Sequence, residues 1–256
     1  MICKGGPRRA IVALALIAGA PAIAQQGTKI HMHRDSGYAA DGFLYEPSGS
    51  VPAGGVLLIH DARGITDFVR EEAQRLALAG CVVVAIDLYR GRTAGESQTP
   101  AQLASGLAAD EVMHDLEAAI DFLQVQPNIL GKPIGVVGWG LGGDFAIRLV
   151  LAGAQVRGVA ITVAKLPYPA ELAHLEAALL ANVAGPDNPR LATAERQLHK
   201  RGKEVDIKVY SRARDNFFDP LDVSDFRPAD ALDAQQRIDR FIEEELRSGG
   251  QREIVH

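Results

Sequence analysis

A series of short apolar runs rich in Val, Ile and Leu, at residues 55–60, 82–88, 134–139, 159–163 and 179–184, limits what this chain can fold into. Unbroken apolar runs of this length suit strands buried on both faces of a sheet, and a further run at 205–210 alternates more openly. Amphipathic helical patterns separate them, at 68–79, 110–126, 144–152, 192–201 and 229–246; in 110–126, Val112, Leu116, Ala119, Ile120 and Leu123 fall on one face. Strand alternating with helix predicts an α/β fold, a mostly parallel central sheet with helices on both faces. Residues 29–33 and 42–46 read as two antiparallel lead-in strands. Such sheets bind ligands outside the carboxyl ends of their strands, so the loops after His60, Leu88, Trp139, Ala184 and Tyr210 are where function is expected.

The rest of the composition fits that architecture. With 256 residues, 47% hydrophobic and 23% charged, the chain can bury a large core without disulfide staples, and it is neither disordered, collagen-like nor a polytopic membrane protein. Its start is different in kind. Lys4, Arg8 and Arg9 precede an apolar run over 10–20, then Pro21-Ala22-Ile23-Ala24-Gln25, with small residues ahead of a plausible cut. This predicts a secretory signal over 1–24, followed by one domain over 25–256, exported to the periplasm or outside the cell. An uncleaved anchor is the other reading, and the run is short for a membrane span. Losing three basic residues and no acidic one moves the net charge from −5 to −8. No nucleic-acid partner is expected of so acidic a chain, nor membrane association once the signal is gone. Cys3 leaves with the signal, so Cys81 can form neither an internal disulfide nor a cysteine metal cluster; no metal or cofactor is expected, and Cys81, which begins its strand, reads as a buried small apolar residue.

The most informative stretch is Ile134-Gly-Val-Val-Gly138-Trp139-Gly140-Leu141-Gly142-Gly143, a strand entering a helix through glycines. Two motifs fit. In a nucleophile elbow, G-x-S-x-G or its cysteine form, a sharp turn exposes the central side chain and the next backbone N–H stabilises an oxyanion. Gly138, Gly140 and Gly142 supply the frame, but the centre is Gly140, which has nothing to attack with. The dinucleotide fingerprint G-x-G-x-x-G also matches, at Gly138, Gly140 and Gly143. It normally needs an acidic residue about 20 positions on, and 159–165 has none.

These residues resemble the dienelactone hydrolase family of the α/β-hydrolase fold. The similarity runs from Gly55 to Leu246, through Gly55-Val-Leu-Leu-Ile-His60-Asp61-Ala-Arg63-Gly64, Ala73 to Gly80, Val82 to Arg90, the glycine turn, and Tyr210-Ser-Arg-Ala-Arg-Asp215-Asn-Phe-Phe218. The resemblance implies hydrolysis of carboxylic esters or lactones by a cysteine, aspartate and histidine triad. The nucleophile would stand at Gly140 and the histidine at Asp215, or at Arg214 if the loop is one residue shorter; both members are therefore missing. The acid would be Asp187, and a family glutamate beside the nucleophile would correspond to Asp61. An arginine holding a substrate carboxylate is implied near Arg90 or Arg92.

Substitutes are few. His60 alone among the histidines ends a strand at the ligand-binding edge; His31, His33, His114, His174, His199 and His256 fall elsewhere, and Ser211 and Ser224 lie off the turn. Losing triad members costs on the order of 10⁴–10⁶ in kcat, and losing several costs little more than losing one. The sequence thus points to a non-catalytic relative that binds a small anionic or lactone-like ligand, or serves as an interaction domain. The Leu141 N–H and Asp61, His60, Arg90, Arg92 and Arg212 are the candidate contacts, with Arg63 and Arg214 on the same loops. An active hydrolase using water activated by His60 or Asp61 is the second reading, and a nucleotide-binding protein the third. Trp139 reads as core packing or as a pocket wall.

Overall fold

The computed structural model describes residues 27–33, 39–48, 51–95, 98–163 and 166–247; the signal at 1–24 and His256 lie outside them. Eight strands form one sheet in the order β1-β2-β4-β3-β5-β6-β7-β8. β1 (Thr28–His33) and β2 (Ala39–Tyr45) pair antiparallel, and β2 is antiparallel to β4 (Cys81–Ile86). From β4 onward every pairing is parallel: β3 (Gly54–Ile59), β5 (Ile134–Trp139), β6 (Gly158–Val163), β7 (Ala178–Ala184) and β8 (Val205–Tyr210). The fold is α/β with a mostly parallel central sheet, as the run pattern predicts, and it is α/β-hydrolase-like, as the family resemblance implies. All residues of β3, β4, β5 and β7 are buried, which is why their sequences are unbroken apolar runs, whereas the edge strand β8 alternates.

Helices cover both faces. One face is packed by α3 (Ala109–Gln124), α4 (Leu141–Leu151) and α6 (Pro189–His199), through Leu116, Leu123, Phe145, Leu149 and Leu198. The other is packed by α1 (Asp67–Leu78) and α7 (Pro228–Arg247), through Val69, Leu76, Ile238, Ile242 and Leu246. Two short helices, α2 (Pro100–Ser105) and α5 (Pro169–Leu172), were not foreseen; each is too short to show a helical period and opens on a proline at its first turn. α6 begins at Pro189 rather than at 192, because Asn188 caps it by accepting from the Arg190 N–H at 3.1 Å. α4 begins at Leu141 rather than at 144, and that shift brings the helix start directly against Gly140.

The strand order fixes where a crevice forms. From β3 the chain steps to β4 on one side and then returns to β5 on the other, so β3 and β5 are neighbours whose following segments diverge. Their carboxyl ends, at His60-Asp61 and Trp139-Gly140, flank the switch point at which open α/β sheets take ligands.

Candidate functional site

The turn after β5 has the geometry of a nucleophile elbow. Gly140 sits at φ 49° and ψ −117°, a left-handed conformation that L side chains rarely adopt, and caps α4. Its N–H donates to the Thr162 carbonyl at 2.8 Å, and its carbonyl accepts from the Asp144 N–H at 3.1 Å. The flanking glycines are there for space. A Cβ on Gly138 would lie 2.5 Å from the Gly142 carbonyl oxygen, and one on Gly142 would lie 2.3 Å and 2.4 Å from the carbonyl oxygens of Ile59 and His60. At Gly140, by contrast, a Cβ would meet only the Asp61 Cβ, at an ordinary 3.8 Å. The fold keeps the frame and the room for a side chain at the apex, and the apex has none.

Asp61 faces that vacancy. It is 5% exposed, its Oδ1 accepts from the Arg63 N–H at 2.9 Å, and burial, with the nearby Asp219 carboxylate adding to it, pushes its pKa up to about 6. Asp219 is itself 1% exposed and pairs with Arg63 Nε at 3.1 Å; Arg63 Nη2 donates to Asp222 at 2.9 Å. Arg63 thus clamps the loop after β8 to the end of β3. Burial, with Asp61 second, raises the Tyr89 phenol to about 12, and its hydroxyl donates to the Ala62 carbonyl at 3.1 Å.

His60 is fully buried and both ring nitrogens are used. Nε2 accepts from the Leu88 N–H at 3.2 Å, which puts the proton on Nδ1, where it is donated to the Asp61 carbonyl at 2.6 Å. Burial lowers its pKa, so the ring is neutral and ties the end of β3 to the end of β4. It offers no nitrogen to a substrate, a water or a ligand.

The other candidates are more dispersed. Asp187 is exposed in the turn after β7. Asp215 and Arg214 are exposed in the turn after β8, and Arg214 pairs with Asp225 at 3.1 Å; the buried acid of that loop is Asp219. Arg90, at φ 53°, reaches Asp115 on α3 at 3.3 Å. Arg92 donates to the Tyr89 carbonyl at 3.2 Å and is exposed, as is Arg212. Three of the five candidate arginines, Arg63, Arg90 and Arg214, are therefore already matched to carboxylates. Trp139 answers to both of its readings, being 2% exposed against Phe68 and Phe218 and lining a cavity as well. Cys81 is buried at the amino edge, and burial raises its thiol to about 11. Sequence reasoning missed Asp219 and Asp222. Their partner Arg63 lies far away in the chain, and the signal that could have found them is an excess of acids and arginines on two loops of one sheet edge. Among the described residues, no group of three or more His, Cys, Asp or Glu is placed to hold a metal, and no helix is long and apolar enough to cross a membrane.

The family model for dienelactone hydrolases matches residues 40–246, spanning both flanks of the site. The chain belongs to the dienelactone hydrolase family. It is 30% identical over 112 residues to a Synechocystis sp. protein provisionally named carboxymethylenebutenolidase (40% of this chain, 45% of that one). It is 29% identical over 127 residues to the carboxymethylenebutenolidase of Pseudomonas putida (46% of this chain, 53% of that one). The chain thus spans about half the length of these two curated relatives. A Klebsiella pneumoniae structure provisionally named as a dienelactone hydrolase shares the fold with a TM-score of 0.70 at 16% identity, covering 85% of this chain and 98% of that one. The dienelactone hydrolase family comprises hydrolases of esters and lactones, and this member holds glycine at the elbow apex.

One expectation follows from Asp61 directly. A carboxylate whose folded pKa is about 6, against about 3.9 unfolded, binds its proton more tightly in the native state. Stability is therefore lost as pH rises from about 4 through about 6, and stays lost above. Asp61→Asn keeps the acceptor for the Arg63 N–H and removes the buried charge. It is expected to stabilise the protein by about 2–3 kcal/mol at pH 8 and by almost nothing at pH 4, read from urea unfolding at the two pH values. A gain of equal size at both would exclude this account.

Proposed function

We propose that this protein is an exported, non-catalytic member of its family, acting by binding a small ligand or a partner at the retained elbow. One observation carries the reading: Gly140 stands at the elbow apex without a side chain, while His60, the histidine beside it at the end of β3, has both ring nitrogens committed. Neither a nucleophile nor a base is available to the family mechanism there. Export rests on the charge and cleavage pattern of residues 1–24. The ligand candidates are lactone-like compounds and small carboxylates, meeting the Leu141 N–H at the helix start, with the exposed Arg92 and Arg212 on loops of the same sheet edge. Asp61 sets a condition on that choice. Once ionised it repels an anion from the elbow, so a carboxylate should bind better below pH 6 and a neutral lactone equally on both sides of it. The same charge opposes a nucleotide phosphate at the glycine turn.

The test is turnover of an activated ester by the mature chain, against a heat-killed control. No turnover above control is expected, whereas Gly140→Cys combined with Asp215→His should give a measurable gain. Gly140→Cys alone should be alkylated much faster than the buried Cys81 yet turn over nothing. A second reading, favoured by the same Asp61 carboxylate beside the vacant apex, is water activated by Asp61. It requires wild-type turnover that rises through pH 6 and is abolished in Asp61→Asn; that result would displace the non-catalytic reading.

A further inference from the structure

A cavity of about 260 Å³ opens beside the elbow, between α1, α7 and the loop after β8, and neither Gly140 nor Asp61 lines it. Its walls include Phe68, Trp139, Phe218 and Phe226. The first three rings pack around one another, with centroids 5.3 Å (Phe68–Trp139), 5.6 Å (Phe68–Phe218) and 6.4 Å (Trp139–Phe218) apart. The charged lining is of one sign: Glu71 and Glu72, with no Lys, Arg or His among the lining residues. Glu72 is 6% exposed, accepting from Arg75 Nη2 at 2.6 Å and from Gln235 Nε2 at 2.7 Å. Arg75 also pairs with Asp239, so one guanidinium serves two carboxylates while Glu71 adds a third, and the local charge stays negative.

We propose that this cavity binds a small organic ammonium ion carrying an aromatic or compact alkyl body. Aromatic faces attract a cation through their quadrupole, and carboxylates at the wall add to that attraction while rejecting an anion of the same shape. A cavity of about 150 Å³ accepts benzene, so 260 Å³ takes a single ring bearing a compact charged head. This site is separate from the elbow and of opposite charge preference, so its fate and that of the elbow reading are decided independently.

Trp139 is the sole tryptophan of the chain and forms part of the cavity wall, so its fluorescence reports occupancy. The mature protein at low salt is titrated with benzyltrimethylammonium, with its neutral isostere neopentylbenzene, and with phenylacetate. The expected result is a saturable change with the ammonium ion, weakened by added salt, and at least about tenfold weaker binding of the neutral and anionic compounds. Glu71→Gln, at an exposed position, should fold normally and weaken the ammonium ion about 3- to 10-fold while leaving the neutral compound unchanged. Phe226→Ala should weaken it about 10-fold. Equal binding of neopentylbenzene, tighter binding of phenylacetate, no effect of Glu71→Gln, or no saturable response to about 10 mM ammonium ion would each overturn the proposal.

Discussion

Gly142→Ala is expected to leave little or no soluble protein, or, if some folds, to lower its stability by at least about 4 kcal/mol in urea unfolding. The new methyl would fall 2.3 Å from the Ile59 carbonyl oxygen and 2.4 Å from that of His60, both fixed backbone atoms at the end of the central strand β3. Neither can rotate away, so the start of α4 would have to lift off the sheet. Gly138→Ala should behave alike, because its methyl would lie 2.5 Å from the Gly142 carbonyl oxygen. Gly140→Ala is the informative contrast. Its methyl has room, and the cost is confined to the left-handed backbone, about 1–3 kcal/mol. If the three alanines cost the same, the elbow would not be the sterically defined frame described above.

The second large effect lies at His60. His60→Ala should destabilise the protein by about 3–4 kcal/mol, since it strands the Leu88 N–H and the Asp61 carbonyl and leaves a void in a fully buried site. His60→Gln, with one acceptor and one donor to offer, should recover part of that loss. The pH dependence distinguishes a structural ring from a catalytic one. A histidine whose folded pKa lies below its unfolded value of about 6.5 contributes stability that is complete above that value and fades as pH falls below it. The gap between wild type and His60→Ala should accordingly narrow on acidification. A constant gap from pH 8 to pH 5 would mean that the ring is not held neutral.

Much of the fold was legible in the sequence because the doubly buried strands write unbroken apolar runs, as 82–86 and 134–139 do. The glycine turn was legible too, since only a steric need explains glycines at alternate positions there. What could not be read is what depends on distant partners. That His60 is spent on Leu88 and Asp61 is a fact of two strand ends meeting. The pairing of Arg63 with Asp219 and Asp222 joins loops about 160 positions apart in the chain, and it turned an expected anion-binding group into a clamp. The aromatic cavity draws its walls from α1, β5 and the approach to α7, so no local pattern announces it. Asp187 and Asp215 were placed by family correspondence alone, and the structure leaves both in solvent.

The position of α7 has a consequence for how the molecule is made. Ala234, Ile238, Ile242 and Leu246 complete the apolar layer over β3, β5, β6 and β7 on the side shared with α1. These residues all follow β8 in the chain. The α1 side of the interior therefore stays open until α7 itself has been made and docked, so deleting α7 is expected to be far more damaging than its distance from the elbow suggests.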